Sequence, residues 1–337
     1  MNTTTPFVSV VLPFYKAGDE FIQAIESIRN QTFTAWELLL VNNNAPSYAS
    51  SIVHYYTSMD SRILHFHENH QGIAHALNKG LKHSRGRYIA RMDADDYSLA
   101  DRLQKQYNFR ESRKAIDVVA SQTRFHSGLE KSHGYELFVQ WQNSILIPDQ
   151  HNLYRFIESP VAHPSVMFRR NLIDLYGLYT LENVPEDYEL WLRWMDHGVL
   201  INKLDEPLLQ WNDHHGRLSR QHKNYSVEAF FTVKSHYLAR WLKKFVPKDK
   251  KIVVCGSSKT ARRRAAMLSD KGVDVFGFTD VKKRHGLPVH FIPYEQIKEP
   301  GAWFLINLIA TRGVGQQIRA FFSGRGFVEG KDFILAA

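Results

Sequence analysis

The chain has 337 residues, 44% of them hydrophobic and 13% aromatic, which is enough apolar material for two folded domains and excludes a disordered chain. Its formal charge of +9 raises nucleic acid or an anionic membrane as partners, yet the excess is regional: Arg240, Lys243, Lys244, Lys248, Arg262, Arg263 and Arg264 stand in a stretch whose acidic residues are Glu228 and Asp249. The single cysteine, Cys255, excludes an internal disulfide and a cysteine-built zinc site.

Residues 8–12 (VSVVL) form an apolar, β-rich run that stops at Pro13, after which Phe21, Ile22, Ile25 and Ile28 recur at helical spacing. A second run at 38–41 ends in Asn42, Asn43 and Asn44, and a third at 63–66 ends near Asn69. Residues 73–81 read as a helix, and 88–91 as a short strand that leads into Asp93, Ala94, Asp95 and Asp96. This alternation predicts an α/β fold with a mostly parallel central sheet, in which ligands bind beyond the carboxyl ends of the strands. The polar clusters fall at those ends.

Farther along, residues 163–170 (HPSVMFRR) precede 185–193 (PEDYELWLR), which open a helix with acidic residues in its first turn. Residues 226–246 read as one amphipathic helix with Phe230, Val233, Tyr237, Leu238, Trp241 and Leu242 on one side. From residue 251 a second α/β pattern begins (KIVVCG, then VDVFGF), read as a small Rossmann-like domain. Because Ser258 and Ala261 replace the later glycines of G-x-G-x-x-G, a structural or interaction role is expected there rather than dinucleotide binding. The expected domains are 1–222, a basic linker helix at 223–249, and 250–337.

No stretch approaches the roughly 20 apolar residues of a membrane-spanning helix. The opening MNTTTPF lacks the basic and apolar regions of a secretory signal, so the expected location is the cytoplasm. The helix at 226–246, through Lys234, Arg240, Lys243 and Lys244, either meets the inner face of an anionic membrane or bridges the domains with a solvated basic edge. No recognised module supports nucleic-acid binding.

Asp93 and Asp95, two apart on an extended strand end, point to one face, and two converging carboxylates suit Mg²⁺ or Mn²⁺ bridging to substrate phosphates. The same spacing also serves turns and helix caps. Four segments in order then carry a resemblance: 8–33 (VSVVLPFYKAGDEFIQAIESIRNQTF), 68–96 (ENHQGIAHALNKGLKHSRGRYIARMDADD), 185–193 (PEDYELWLR) and 211–220 (WNDHHGRLSR). Together they resemble the inverting glycosyltransferase family 2, with its GT-A fold, over about residues 6 to 222.

The resemblance implies metal-dependent transfer of a sugar from a nucleotide diphosphate donor to a saccharide or lipid-linked saccharide hydroxyl. It implies Asp93 on the ribose or the metal, Asp95 on the metal, and Asp187 as general base, supported by Glu186. Pro13 and Tyr15 align with the nucleotide-facing loop, where Tyr15 either stacks on the base or packs half-buried. Asn69, Gly72 and Asn78 align beneath the diphosphate; Leu77 stands where an arginine is common, and Arg91 or His75 can supply the charge. Asn42 and Asn43 replace a pair of aspartates, the second of which reads the uracil. A UDP-sugar is still the favoured donor, with Asn43 hydrogen-bonding the base edge without charge, unless Asn42 to Asn44 only form a turn. His214 aligns near the metal, as a ligand or a solvated loop histidine. His163 and Trp191 are expected on the acceptor side, although a core position for Trp191 is the commoner state. The rivals are a nucleotidyltransferase and a catalytically silent nucleotide-sugar-binding scaffold.

Overall fold

The computed structural model describes residues 6–130, 132–282, 286 and 289–337; residues 1–5, part of the segment read for a secretory signal, lie outside the described residues. The chain divides into two compact units: residues up to 148 with 160–222, and residues 149–159 with 223–337.

The first unit is built on an eight-stranded sheet. Its strands are β1 (Val8–Phe14), β2 (Trp36–Asn42), β3 (Ile63–His67), β4 (Tyr88–Arg91), β5 (Tyr97–Ser98), β6 (Val118–Ser127), β7 (Met167–Arg169) and β8 (Ile201–Asp213), in the order β3-β2-β1-β4-β7-β6-β8-β5. The first four are mutually parallel, β7 runs against both its neighbours, and β6 and β8 are parallel to each other. β1 and β2 are buried along their whole length, as expected of parallel strands covered on both faces. Alternation then divides their side chains. Val8, Val10, Leu12, Leu38 and Leu40 pack with Phe21, Ile25 and Ile28 of the helix Asp19–Arg29, while Val11 and Leu39 pack with Leu77 and Leu81 of the helix Ile73–His83.

Pro13 is buried inside β1, opposite Val41, so the expectation that it faces a nucleotide from a loop is corrected. Val11 accepts a hydrogen bond from Met92 N, so by alternation Pro13 faces the same side, where β4 has already ended opposite Val11. A residue without an N–H is tolerated at that place. β6 and β8, which sequence reading leaves unassigned, form the longest ladder of the sheet despite the polar residues along them.

The entry to β4 is fastened by a buried carboxylate. Glu37 of β2 accepts from Ser9 Oγ (2.6 Å), Arg85 N (2.7 Å) and Arg85 Nε (2.7 Å), and Gly86 N donates to Ser9 Oγ (2.8 Å).

The second unit has five parallel strands: β9 (Lys251–Cys255), β10 (Val275–Thr279), β11 (His290–Phe291), β12 (Trp303–Asn307) and β13 (Phe333–Leu335). Their order, β11-β10-β9-β12-β13, reverses direction between β9 and β12. The helix Val227–Phe245 starts at Ser226, whose Oγ accepts from Ala229 N, and belongs to this unit instead of standing apart as a linker. Residues 149–159 join it because Phe156 packs on Trp241 and Lys234 Nζ donates to Ile157 O (2.8 Å) and Ala336 O (3.3 Å). Lys234 is therefore buried, its ammonium pushed down to about 7 by that burial, and it is not part of an exposed basic edge. Phe231, not Phe230 or Tyr237, is the fully buried aromatic in that part of the helix. No helix among the described residues is long and apolar enough to cross a membrane.

A Cβ at Gly86 would lie 2.6 Å from Ser9 N and 2.8 Å from Val8 C, both backbone atoms of the central strand. Gly86→Ala is expected to lower stability by about 1–3 kcal/mol, read as a lower urea midpoint with an unchanged slope. An unchanged midpoint would show that the approach to β4 is loose.

Candidate active site

β4 stops at Arg91, and the acidic residues that follow lie in a turn in which Asp96 N approaches Asp93 O at 3.5 Å. The expectation that Asp93 and Asp95 share one face of a strand end is thus corrected, since a turn and not the pleat gathers them. One carboxylate oxygen from each of Asp93, Asp95 and Asp96 lies within 4.8 Å of the others.

Two guanidinium groups, one buried and one largely enclosed, compensate this charge. Arg91 donates through Nη2 to Asp93 Oδ1 (2.6 Å) and through Nη1 to Met92 O, so the charge expected to face a diphosphate is held by the acidic turn. Arg217 reaches all three carboxylates, at 3.7 Å from Asp93, 3.9 Å from Asp95 and 3.4 Å from Asp96, and its guanidinium lies 4.2 Å over the ring of Trp211. Sequence reading passed over Arg217, although it lies in the quoted segment 211–220; the signal was that three neighbouring carboxylates require a countercharge.

Burial pushes the Asp95 carboxyl up, but Arg217 and the His214 hydrogen bond outweigh it and hold Asp95 below its usual range. Asp96 goes the other way: its complete burial, opposed by Arg217 and reinforced by Asp95 and Asp93, raises it well above that range. Asp96 Oδ1 accepts from Asn212 N (2.9 Å), while Oδ2 has no hydrogen-bond partner among the described residues.

His214 Nε2 lies 2.7 Å from Asp95 Oδ2, and its Nδ1 accepts from Gly216 N (3.1 Å). The ring proton of this arrangement therefore faces Asp95. To ligate a metal through Nε2, His214 must give that proton up. The lone pair on Nδ1 is engaged by Gly216.

Asp187 occupies the first turn of the helix Glu186–Asp196, with its Oδ1 accepting from Tyr188 N (2.7 Å). Burial raises it, the Tyr188 N–H opposes, and Asp93 adds to the rise, leaving the carboxyl pushed up to about 6. Glu186 is buried beside it. His163 Nε2 lies 2.7 Å from Tyr179 Oη, and burial, helped by Arg91, keeps the imidazole well below its ordinary range and so neutral. Trp191 is 0% exposed and packs on His163 and Trp194, so it offers no face to a sugar. That expectation is corrected.

The strand-end asparagines are clamps. Asn43 is buried, donates through Nδ2 to Glu68 O (3.3 Å) and His70 O (2.8 Å), and accepts through Oδ1 from Gly72 N (2.9 Å). Its side chain is fully used by the loop and is not directed at a base edge. Asn42 Oδ1 accepts from Ala45 N (2.8 Å), and Asn44, at φ 64°, reaches Asn69 O (3.2 Å). Asn78 likewise clamps Tyr179, donating to its O (2.9 Å) and accepting from its N (3.0 Å), so the expected ligand contact is corrected. Gly72 holds φ 134° at the start of the helix Ile73–His83, a conformation that favours glycine. Asn69 is exposed, and so is the ring of Tyr15 just beyond β1, at 54%.

The oxygen set of Asp93, Asp95 and Asp96, with the orphaned Asp96 Oδ2, fits a hard divalent cation. Residues 9–177 match the profile of glycosyl transferase family 2. The chain belongs to that family. It is 28% identical over 245 residues to an uncharacterized glycosyltransferase of Methanocaldococcus jannaschii, covering 69% of this chain and 80% of that one. It is 27% identical over 243 residues to the O-antigen biosynthesis glycosyltransferase WbnJ of Escherichia coli, covering 70% and 89%. Among solved structures it resembles S. aureus TarS 1-349 in complex with UDP-GlcNAc (TM-score 0.58, 17% identity, 78% of this chain and 70% of that one). A mannosyltransferase of Pyrobaculum calidifontis in complex with GDP-Man and Mn²⁺ is also similar (TM-score 0.50, 14% identity, 80% and 74%). At these identities the structural likeness establishes the GT-A α/β fold, and the family membership makes the chain a glycosyltransferase.

Arg217→Gln leaves the acidic turn short of a countercharge. Without divalent cation it is expected to lose on the order of 3–5 kcal/mol, and Mn²⁺ should restore more stability to the variant than it adds to wild type. Thermal melts with and without Mn²⁺ check this; equal shifts in both proteins would mean that Arg217 and a cation do not share the same charges.

Proposed function

We propose that this glycosyltransferase moves a sugar, with inversion, from a nucleotide diphosphate sugar to a hydroxyl of a saccharide or lipid-linked saccharide, in surface polysaccharide or glycolipid assembly. One observation carries the reading: the Asp187 carboxyl, pushed up to about 6, interacts with the same Asp93 that Arg91 holds in the acidic turn. A base whose pKa lies just below neutrality combines the deprotonated form with a useful proton affinity.

In this mechanism Asp187 takes the proton of the acceptor hydroxyl as its oxygen attacks the anomeric carbon. The bond from that carbon to the diphosphate oxygen breaks, and its electron pair leaves with the diphosphate. Asp93 and Asp95 would hold Mg²⁺ or Mn²⁺, which when bound offsets the charge gathering on the leaving group. Arg217 keeps the turn in shape and Asp96 anchors it to Asn212. The exposed Tyr15 ring is available to stack on the base. Gly72 and the adjacent loop approach the diphosphate through backbone, without the Asn43 or Asn78 side chains.

A UDP-sugar is the first donor to test, because the S. aureus TarS structures were obtained with UDP-GlcNAc and with UDP; the GDP-Man complex of the Pyrobaculum enzyme makes GDP the second. That the Escherichia coli relative WbnJ is an O-antigen biosynthesis glycosyltransferase supports a polysaccharide acceptor. The second unit is assigned as a Rossmann-like accessory domain, and the exposed Lys244 of its long helix offers charge to anionic lipid at the inner membrane face.

Asp187→Asn is expected to lower kcat by about 10²–10⁴-fold while donor affinity in calorimetry stays the same. In wild type, kcat/KM should fall as pH drops through about 6, because the base becomes protonated. A pH profile that stays flat over about one unit either side of that value would remove Asp187 from the base role. Titration of UDP, GDP and dTDP with and without Mn²⁺ should show one nucleotide whose tight binding needs both the ion and Asp95, and loses it in Asp95→Ala. Metal-independent binding would overturn the metal assignment.

A further inference from the structure

We propose that Glu68, His70 and His75 form a second metal site, one that takes Zn²⁺ or a comparable divalent transition metal. Each of the three residues offers a ligand atom, and these atoms lie within 4.8 Å of one another. The cluster sits where β3 gives way to the helix Ile73–His83, away in sequence from the acidic turn, and the proposal does not rest on the glycosyl-transfer reading.

The chemistry of the set differs from that of the acidic turn. Two imidazoles and one carboxylate suit Zn²⁺, Co²⁺ or Ni²⁺, whereas Mg²⁺ favours oxygen ligands throughout. Glu68 Oε1 lies 2.9 Å from His70 Nδ1 and accepts from His70 N at 2.9 Å, so carboxylate and imidazole already converge, and a metal ion would take the place of the proton between them. His75 brings its ring alongside, with centroids 5.3 Å apart and the planes 24° from parallel.

The backbone beneath the cluster is held firmly. Buried Asn43 binds Glu68 O, His70 O and Gly72 N, which fixes the loop from both ends. With a Zn–N length of about 2.0–2.1 Å, tetrahedral ligand atoms stand about 3.3 Å apart. The set must therefore contract, and the side chain of His70, 79% exposed, is free of packing that would prevent this. Three protein ligands leave a position open.

The test uses the untagged full chain carrying Asp95→Ala, so that the acidic turn does not compete, in excess Mg²⁺. One equivalent of Co²⁺ should give visible absorption bands of a low-coordinate site, and Zn²⁺ should displace it. His70→Ala and His75→Ala should each weaken Zn²⁺ by about tenfold or more, and Glu68→Gln by about ten- to a hundredfold. Melting temperatures without metal establish that the variants fold, and His70→Gln with His75→Gln replaces any alanine variant that does not. Zn²⁺ bound equally well by the double-histidine variant, or no Zn²⁺ retained by its parent, would overturn the site.

Discussion

The acidic turn after β4 depends on two guanidinium groups brought to it from distant points of the chain, the buried Arg91 and the largely enclosed Arg217. Arg91 comes from the turn's own strand, and Arg217 from beyond β8, more than a hundred residues later. Carboxylates this close and this little exposed repel one another and lose hydration, so each needs a countercharge with good geometry. Arg217 meets that need for all three at once, which makes the path of the chain after β8 part of the site. The opposite displacements of Asp95 and Asp96 follow from the same arrangement. Arg217 and His214 hold the partly exposed Asp95 carboxyl below its usual range, while burial pushes the enclosed Asp96 carboxyl well above it.

Around this charge the structure spends its polar side chains on backbone. Asn43 holds the loop at 68–72, Asn78 holds Tyr179, Asn212 binds the Asp95 carbonyl at 2.7 Å, and Glu37 holds the entry to β4. Each such bond contributes about 1 kcal/mol net, but its loss would leave a buried group unsatisfied at a cost of about 1–3 kcal/mol. Tyr179, fixed by Asn78, in turn hydrogen-bonds His163, so the helix after β3 and the segment before β7 are joined through one tyrosine.

Much of this was legible in the sequence where a single physical signal dominates. The continuous apolar runs of β1 and β2 mark covered parallel strands, and the acidic first turn at 185–193 marks a helix start. β6 and β8 were not legible because they mix apolar residues with Gln122, Arg124, Asp205 and Pro207. The strand-end asparagines showed that something polar lies there but not whether ligand or backbone would use it, because an amide serves both equally. Lys234 misled for a related reason: its position on the helix gives no hint that two carbonyls, from residues 157 and 336, wait for it. Arg217 was visible as a residue but not as a contact, since only the folded chain brings it to the turn.

The raised carboxyl of Asp187 also sets a condition on the fold that holds it. An aspartate that titrates at 3.8 when unfolded and at about 6 when folded binds its proton more tightly in the native state. As pH rises from the lower value, the unfolded chain ionises first and gains on the folded one; the native state loses stability through that window, and the penalty is constant above about 6. At neutral pH the ionised Asp187 is therefore a destabilising element that the surroundings must offset. The helix Glu186–Asp196 supplies the offset directly behind it: Leu190, Trp191 and Trp194 are fully buried, and Arg193 ties the same helix to Tyr176 O and Leu178 O. Trp191 thus anchors the helix that carries Asp187, which needs the indole inside the core and not in contact with a sugar.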